Sequence, residues 1–145
     1  MKNPIIRQAA AGDLVAIIRL LEEAELPTDD VSRHVSTYLV AELQGTVIGA
    51  IGLEPYGDTA LLRSAVVHPQ HRGHAIGTRL YHALLCRAKD SGMHRMVLLT
   101  TTAEEYFRRK GFIRVDREAI TGPVTMSAEF THACPSTAIS MELML

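Results

Sequence analysis

Cysteine is scarce in this chain of 145 residues: Cys86 and Cys134 are its only two. Two thiols cannot build the disulfide framework of a small secreted domain. Cys86 also sits among Leu80, Leu84 and Leu85, where a small apolar residue packs well. A reducing compartment, the cytoplasm, is the expectation. No apolar run approaches the ~18 residues of a membrane span. The opening Met1-Lys2-Asn3-Pro4-Ile5-Ile6-Arg7-Gln8 is broken by polar residues before a signal-type run develops. Charge of one sign is missing too: 15 Lys and Arg against 16 Asp and Glu leave a net charge of −1. No global field is available to hold a nucleic-acid backbone or an anionic membrane, and neither partner is expected. What is present is ordinary for a globular chain: hydrophobic residues at 47% and charged residues at 21% exclude wholesale disorder. The length falls in the range of one domain, roughly 100–200 residues, and residues 1–145 are read as a single domain.

Ile5 to Ala9 reads as a short strand giving way through Asp13 to a helix. There Leu14, Ile17, Ile18 and Leu21 recur at one-face spacing. Thr28-Asp29-Asp30 reads as a second helix start, a hydroxyl cap with an acidic first turn. Ser36–Leu43 and Thr46–Leu53 flank Gln44-Gly45 as a hairpin, Pro55 to Asp58 is a second turn, and Ala60–Val67 is a third strand. The loop from Arg72 to Gly77 opens a helix with Ile76, Leu80, Ala83 and Leu84 on its buried stripe, stopped at Gly92. Met96–Leu99 is an apolar run suited to a central strand. Thr102 and Glu105 have capping-box spacing for a helix ending at Gly111, before a strand over Phe112–Val115. The pattern weakens from Asp116 to Pro135, with a short helix near Pro123–Phe130, and Ala138–Leu145 alternates as a last strand. The expected class is a mixed α/β sheet with helices on its faces.

The stretch from Leu61 to Thr78 carries the most chemistry: a buried strand runs into a loop with two glycines, which opens a helix. Small residues admit a ligand close to the backbone, and a helix N-terminus favours phosphate. An ordinary strand–helix connection explains the same glycines equally well. No lysine follows the last glycine as in a Walker loop, and the dinucleotide spacing of glycines is absent. Nucleophile elbows, catalytic triads and nucleic-acid motifs are missing as well. His68, His71 and His74 recur every third residue but lack a local fourth ligand or supporting carboxylates, so they read as a solvated loop and no metal is expected.

Arg72, Ala75 and Gly77 occupy the positions of the pyrophosphate loop of the GCN5-related N-acetyltransferases (GNAT), and the sequence resembles that family over nearly its whole length. Further matching segments are Ile6-Arg7 with Ala9 and Asp13, Leu39-Val40-Ala41-Glu42, Val47-Ile48-Gly49 and Lys110-Gly111-Phe112. Ala75 stands where a glycine is usual, a change that a right-handed backbone accommodates. The likeness is greatest to small amino-acid acetyltransferases of the N-acetylglutamate-synthase kind and to those associated with arsenic resistance. It is carried by Tyr56-Gly57-Asp58, Leu61-Leu62-Arg63-Ser64, Leu98 to Glu104, Val115-Asp116 and Glu129-Phe130 through Cys134-Pro135.

The resemblance implies a mostly antiparallel sheet with a splayed parallel pair of central strands and flanking helices. It also implies an enzyme that moves an acetyl group from acetyl-CoA to the amine of a small molecule, an amino acid or related carboxylate. Peptide amines, or a non-catalytic acetyl-CoA-binding module, are the alternatives, and a homodimer is plausible for the family. Val66 and Val67 would hold the pantetheine and the acetyl carbonyl, Arg72, Gly73, His74, Ala75, Ile76, Gly77 and Thr78 would take the pyrophosphate, and Phe107 is a further cofactor contact. Many members protonate the leaving thiolate with a tyrosine four residues before the glycine that ends the next helix; here that position is Phe107. Tyr106 is turned about 100° from it. Either Tyr106 or Tyr56 substitutes, or water protonates the thiolate; the competing role for Tyr106 is half-buried packing. Arg63 is either a two-pronged ligand for a substrate carboxylate or a salt-bridge partner of Glu54 or Asp58. Tyr56 is a further candidate for substrate contact, and Glu54 for a base acting through water. Cys134 before Pro135 is assigned to packing or incidental exposure.

Overall fold

The computed structural model describes residues 3–145; the Met1-Lys2 start of the polar opening segment lies outside the described residues. Seven strands form one sheet in the order β1-β2-β3-β4-β5-β7-β6. In chain order these are β1 (Ile5–Gln8), β2 (Tyr38–Leu43), β3 (Thr46–Tyr56), β4 (Thr59–Val67), β5 (Arg95–Thr100), β6 (Ile113–Val115) and β7 (Ile139–Met144). Helices α1 (Leu14–Glu23), α2 (Val31–His34), α3 (Ile76–Asp90) and α4 (Glu104–Arg109) flank them. Every neighbouring pair is antiparallel except β4 with β5. On one side, Ile76, Leu80, Leu84 and Ala88 of α3 close over Leu39, Ile51, Leu62 and Leu98. Ile17, Leu20 and Leu21 of α1 pack with Tyr38, Val40 and Ala50 in a second cluster. The β2–β3 turn is made by Gln44 and Gly45, both at positive φ, which the twist of a two-residue hairpin favours. Gly52 is fixed by close approach instead, since a Cβ there would stand 2.3 Å from the Tyr38 ring.

Several sequence boundaries move for local reasons. β3 continues through Pro55 and Tyr56, so the second turn shrinks to Gly57-Asp58. The helix expected at Thr28 starts only at Val31, because Asp30 is left-handed at φ +62° and breaks the αR path. Thr102 and Glu105 form no capping box. Thr100 Oγ1 instead accepts from the N–H groups of Thr102 and Ala103, at 3.3 and 2.9 Å, and Glu105 pairs with Arg108 at 3.0 Å. The helix expected at 123–130 is two pieces, a 3-10 turn over Pro123–Met126 and a π-helical turn over Glu129–Ala133. Extended Ser127 divides them, and its hydroxyl accepts from the Phe130 N–H at 3.3 Å.

Two irregularities in β4 make the site. Its parallel pairing with β5 covers only Thr59–Leu61 against Arg95–Val97, after which the two strands separate. Against β3, the register passes from Arg63↔Gly52 to Val66↔Ala50, so Ser64 and Ala65 together oppose Ile51. That is a β-bulge, with Ser64 left-handed at φ +60°.

Candidate active site

The opening between β4 and β5 is a cleft of about 910 Å³. One end meets the start of α3. The first helical bond there runs from the Arg79 N–H to the Ala75 carbonyl at 3.0 Å, so the N–H groups of Ile76, Gly77 and Thr78 have no partner within the helix. A shallower recess of about 200 Å³ adjoins them, lined by Gly73, Ala75, Ile76, Gly77 and Thr78; Val67, Arg72, Gly77 and Tyr106 border both spaces. Gly77 keeps this corner open, because a Cβ would point toward Tyr106 Oη and Val67 Cγ2, 3.7 Å from each. Ala75 is left-handed at φ +59°, not right-handed as the sequence suggested. The alanine adopts the glycine-type conformation at a cost of about 1–2 kcal/mol. His74 lines neither space.

Ladder geometry sorts the two valines. The His68 N–H donates to the Ile48 carbonyl at 2.7 Å, so the alternation of an antiparallel pair makes Val66–Ala50 the next bonded pair. The Val66 backbone therefore faces β3, and Val66 meets the cleft through its side chain. The Val67 N–H and carbonyl turn to the open side, where Arg72 Nε donates to that carbonyl at 3.4 Å.

Tyr106 is 38% exposed, with its hydroxyl 3.2 Å from Thr78 Oγ1; Lys110 Nζ lies 5.2 Å from its ring centroid and donates to the same Thr78 oxygen at 3.2 Å. The tyrosine hydroxyl thus sits at the mouth of the cleft, against the start of α3, while its ring stacks edge-on against Phe107 with centroids 5.1 Å apart. Phe107 is the buried one of the pair, 6% exposed, stacked edge-on against Tyr81 and Phe112 and closing the cleft floor.

The other end of the cleft holds a buried charge cluster. The Arg63 side chain is fully buried: Nη1 donates to Glu54 Oε2 at 2.8 Å and to the Asp29 carbonyl at 2.7 Å. Nη2 donates to the Pro27 carbonyl at 3.2 Å, and Nε to Ser64 Oγ at 3.2 Å, with Glu129 Oε2 at 3.5 Å from Nε. One N–H, on Nη2, is left over, so the fork cannot grip a carboxylate with two parallel bonds. The salt-bridge alternative holds with Glu54 as partner; Asp58 instead faces His94 at 3.9 Å on the exposed edge. Glu54 is buried behind Arg63, outside the cleft lining; Tyr56 is part-buried, also outside that lining, and its hydroxyl donates to Glu54. Tyr56 is committed to that carboxylate, which together with burial pushes its phenol well up.

Sequence reasoning missed two cleft residues. Glu129 reaches the cleft beside Arg63, and burial outweighs the guanidinium's pull to raise its carboxyl to about 7. Cys134 lies next to it and lines the same wall; burial and the Glu129 carboxylate push its thiol up to about 12. Tyr81 is the second missed residue, at the cleft floor. Its signal was present: Gly77 and Tyr81 are four apart, on one helix face. Glu129 had no local pattern, because residues 116–135 carry no clear period, and entered the sequence reading only as part of a segment that carries the resemblance. Among the described residues there is no group of three or more His, Cys, Asp or Glu able to hold a metal, and no helix is long and apolar enough to cross a membrane.

A parallel strand pair that opens, with unpaired helix N–H groups at one end, is the geometry that the family resemblance implied. Residues 11–114 match the family model described as "Acetyltransferase (GNAT) family". The chain belongs to the GNAT family. Among curated relatives, amino-acid acetyltransferase of Vibrio cholerae is 29% identical over 95% of this chain and 33% of its own length. Its counterpart in Ralstonia nicotianae is 30% identical over 74% of this chain and 26% of its own length. The chain spans about a third of the length of the first curated relatives it matches. Among solved GNAT-like structures, Rv2747 from Mycobacterium tuberculosis, in complex with CoA, superposes with a TM-score of 0.83 at 27% identity, covering 98% of this chain and 99% of that one. N-acetylglutamate synthase from Neisseria gonorrhoeae, complexed with coenzyme A and N-acetyl-glutamate, gives 0.83 at 23% identity, covering this whole chain and 36% of that one. The second likeness is one of fold.

Proposed function

We propose that the chain is an acetyl-CoA-dependent N-acetyltransferase acting on the amine of a small molecule, an amino acid or related carboxylate, by direct attack on the thioester. The observation that carries this is a cleft joining the unpaired N–H groups at the start of α3 to a buried carboxylate, Glu129. The Mycobacterium structure bound to CoA, alike over nearly the full length of both chains, supports the cofactor. The relatives named amino-acid acetyltransferase support the acceptor class.

In this mechanism the N–H groups of Ile76, Gly77 and Thr78 receive the pyrophosphate, where the helix dipole favours negative charge. Arg72, Thr78 and Tyr106 border its path. The pantetheine arm lies where β5 leaves β4, and the outward Val67 N–H donates to the acetyl carbonyl oxygen as it turns anionic. The acceptor enters from the Glu25–Pro27 side as an ammonium and must lose a proton before it attacks. Glu129 takes that proton, since a base poised near neutrality combines availability with driving force. Arg63 acts through Glu129 by fixing the carboxylate, and reaches no reacting atom itself. The sequence-based roles of Glu54 as base and of Arg63 and Tyr56 as substrate ligands are not part of this mechanism.

The test is release of CoA thiol from acetyl-CoA across a panel of amino acids, simple amines, peptides and arsenic-containing amino-acid analogues. Fastest release with an amino acid or its arsenic analogue is expected; a marked preference for peptides would redirect the assignment to peptide amines. Phe107 at the family's usual acid position favours a second reading, a binding module without turnover. That reading predicts stabilisation by acetyl-CoA with no thiol release from any amine.

A further inference from the structure

Tyr81 is 2% exposed, and its hydroxyl is buried without a hydrogen-bond partner. Such groups are rare, because a buried donor that loses water without gaining a partner costs stability. Ser140 Oγ is the other among the described residues, and it lies outside the cleft lining, whereas Tyr81 is part of that lining. Its place on α3 gives the side chain a starting direction. Gly77 and Tyr81 share one face of the helix, and the Gly77 position looks across the opened ladder at Val67 Cγ2. The ring is held in place by Phe107 and Phe112, with centroids at 6.4 and 6.2 Å, and Lys110 Nζ stands 5.9 Å from its centroid.

We propose that the Tyr81 hydroxyl faces the sulfur of bound acetyl-CoA and gives the departing thiolate its proton. This rests on the acetyl-CoA reading above. The acceptor nitrogen bonds to the acetyl carbon, the carbon–sulfur bond breaks with its electron pair on sulfur, and the phenolic proton passes to that sulfur. The phenolate, beside the Lys110 ammonium, regains a proton from the one that nitrogen sheds in becoming an amide. Free CoA thiol and the N-acetylated acceptor leave, and the ammonium proton held by Glu129 goes to solvent. Burial and the neighbouring Tyr106 raise the Tyr81 phenol, so it is protonated at neutral pH, as a donor must be. Phe107 fills the adjoining position with a ring that has no proton to give.

Tyr81→Phe removes the hydroxyl and keeps the ring. By calorimetry, wild type should bind CoA more tightly than desulfo-CoA, and the variant should bind both alike; this arm needs no acceptor. With the best acceptor of the panel, the variant should lose about 100-fold in kcat on acetyl-CoA with little change in KM. Acetyl-seleno-CoA, whose selenolate leaves without needing a proton, should show little loss. The variant's Tm should equal or exceed that of wild type, since a partnerless buried hydroxyl has gone. The proposal is overturned by turnover within threefold of wild type, by equal losses on both thioester and selenoester, or by losses that merely track a lowered Tm. Failure of wild type to bind CoA at all would instead overturn the acetyl-CoA reading, and this proposal with it.

Discussion

The two ends of the cleft are built from different materials. The end at α3 is backbone and small residues: N–H groups of Ile76, Gly77 and Thr78, an outward Val67 amide, and the space left by Gly77. The end at Glu129 is side-chain charge, an arginine between two carboxylates, all out of water. A backbone cradle suits a ligand part that never changes, such as a pyrophosphate. A desolvated charge cluster suits the step where a proton must move, because burial is what lifts a carboxyl toward neutrality. The two ends should therefore fail differently when altered, one in cofactor binding and the other in stability and proton transfer.

The largest effect should come from Arg63→Ala. Removing the cation leaves Glu54 buried without its charge partner and frees the Pro27 and Asp29 carbonyls from their donor. Breaking a buried pair from one side costs about 3–5 kcal/mol, which thermal unfolding should register as a fall in Tm of roughly 6–20 °C. Lysine should rescue little, since one ammonium cannot serve four separate partners. A variant of unchanged Tm that merely lost activity on carboxylate acceptors would restore the substrate-ligand role for Arg63.

Glu129→Gln comes next, with kcat down by about 10²–10³ in the thiol-release assay. In wild type, rate should fall as pH drops through about 7, where the carboxyl becomes protonated; the glutamine variant should lack that component of the profile. Stability carries the opposite sign. A carboxyl raised in the folded state binds its proton more tightly there than in the unfolded chain. Its contribution is complete below the ordinary carboxylate range and is lost as pH rises through about 7. Denaturation of wild type and variant across pH 4–8 should show their difference changing in that window, by up to a few kcal/mol.

Tyr106→Phe should sharpen the contrast from the other end. Its hydroxyl touches Thr78 at the mouth, so the expected cost is a rise of severalfold in KM for acetyl-CoA with kcat little altered. A loss near 10³ in kcat at unchanged Tm would make Tyr106 the acid instead of Tyr81. The smallest effect concerns the thiols. Cys86 is exposed, whereas Cys134 has its thiol pushed up to about 12, so iodoacetamide at pH 8 should label Cys86 and leave Cys134 nearly untouched. Mass spectrometry of the digested protein reads this directly.

The contrast between the ends also explains what could be read in the sequence. The α3 end is local: a strand, a turn and a helix start within eighteen residues, whose glycines and apolar spacing follow from backbone rules. The Glu129 end is assembled at long range. Arg63 meets Glu54 nine residues away, Asp29 and Pro27 thirty-four and thirty-six away, and Glu129 in the segment without a clear period. No local pattern could choose between a salt bridge and an open guanidinium, and the choice fell to burial. Tyr106 and Phe107 teach the same lesson on one helix. Periodicity set the angle between them, but the core took phenylalanine and left the hydroxyl-bearing ring at the mouth. At Ala75 the local rule was applied and was wrong, because the loop required a left-handed residue where the sequence offers no glycine.

The division between the two ends is tested most directly by the shift in Tm that acetyl-CoA produces in wild type, Gly77→Glu and Glu129→Gln. Ligand at about 100 times its dissociation constant stabilises a protein by ~2.7 kcal/mol, which should raise the Tm of wild type by several degrees. The expected result is the same shift in Glu129→Gln and none in Gly77→Glu, where bulk and negative charge face the pyrophosphate. A shift preserved in Gly77→Glu, or abolished in Glu129→Gln, would contradict it.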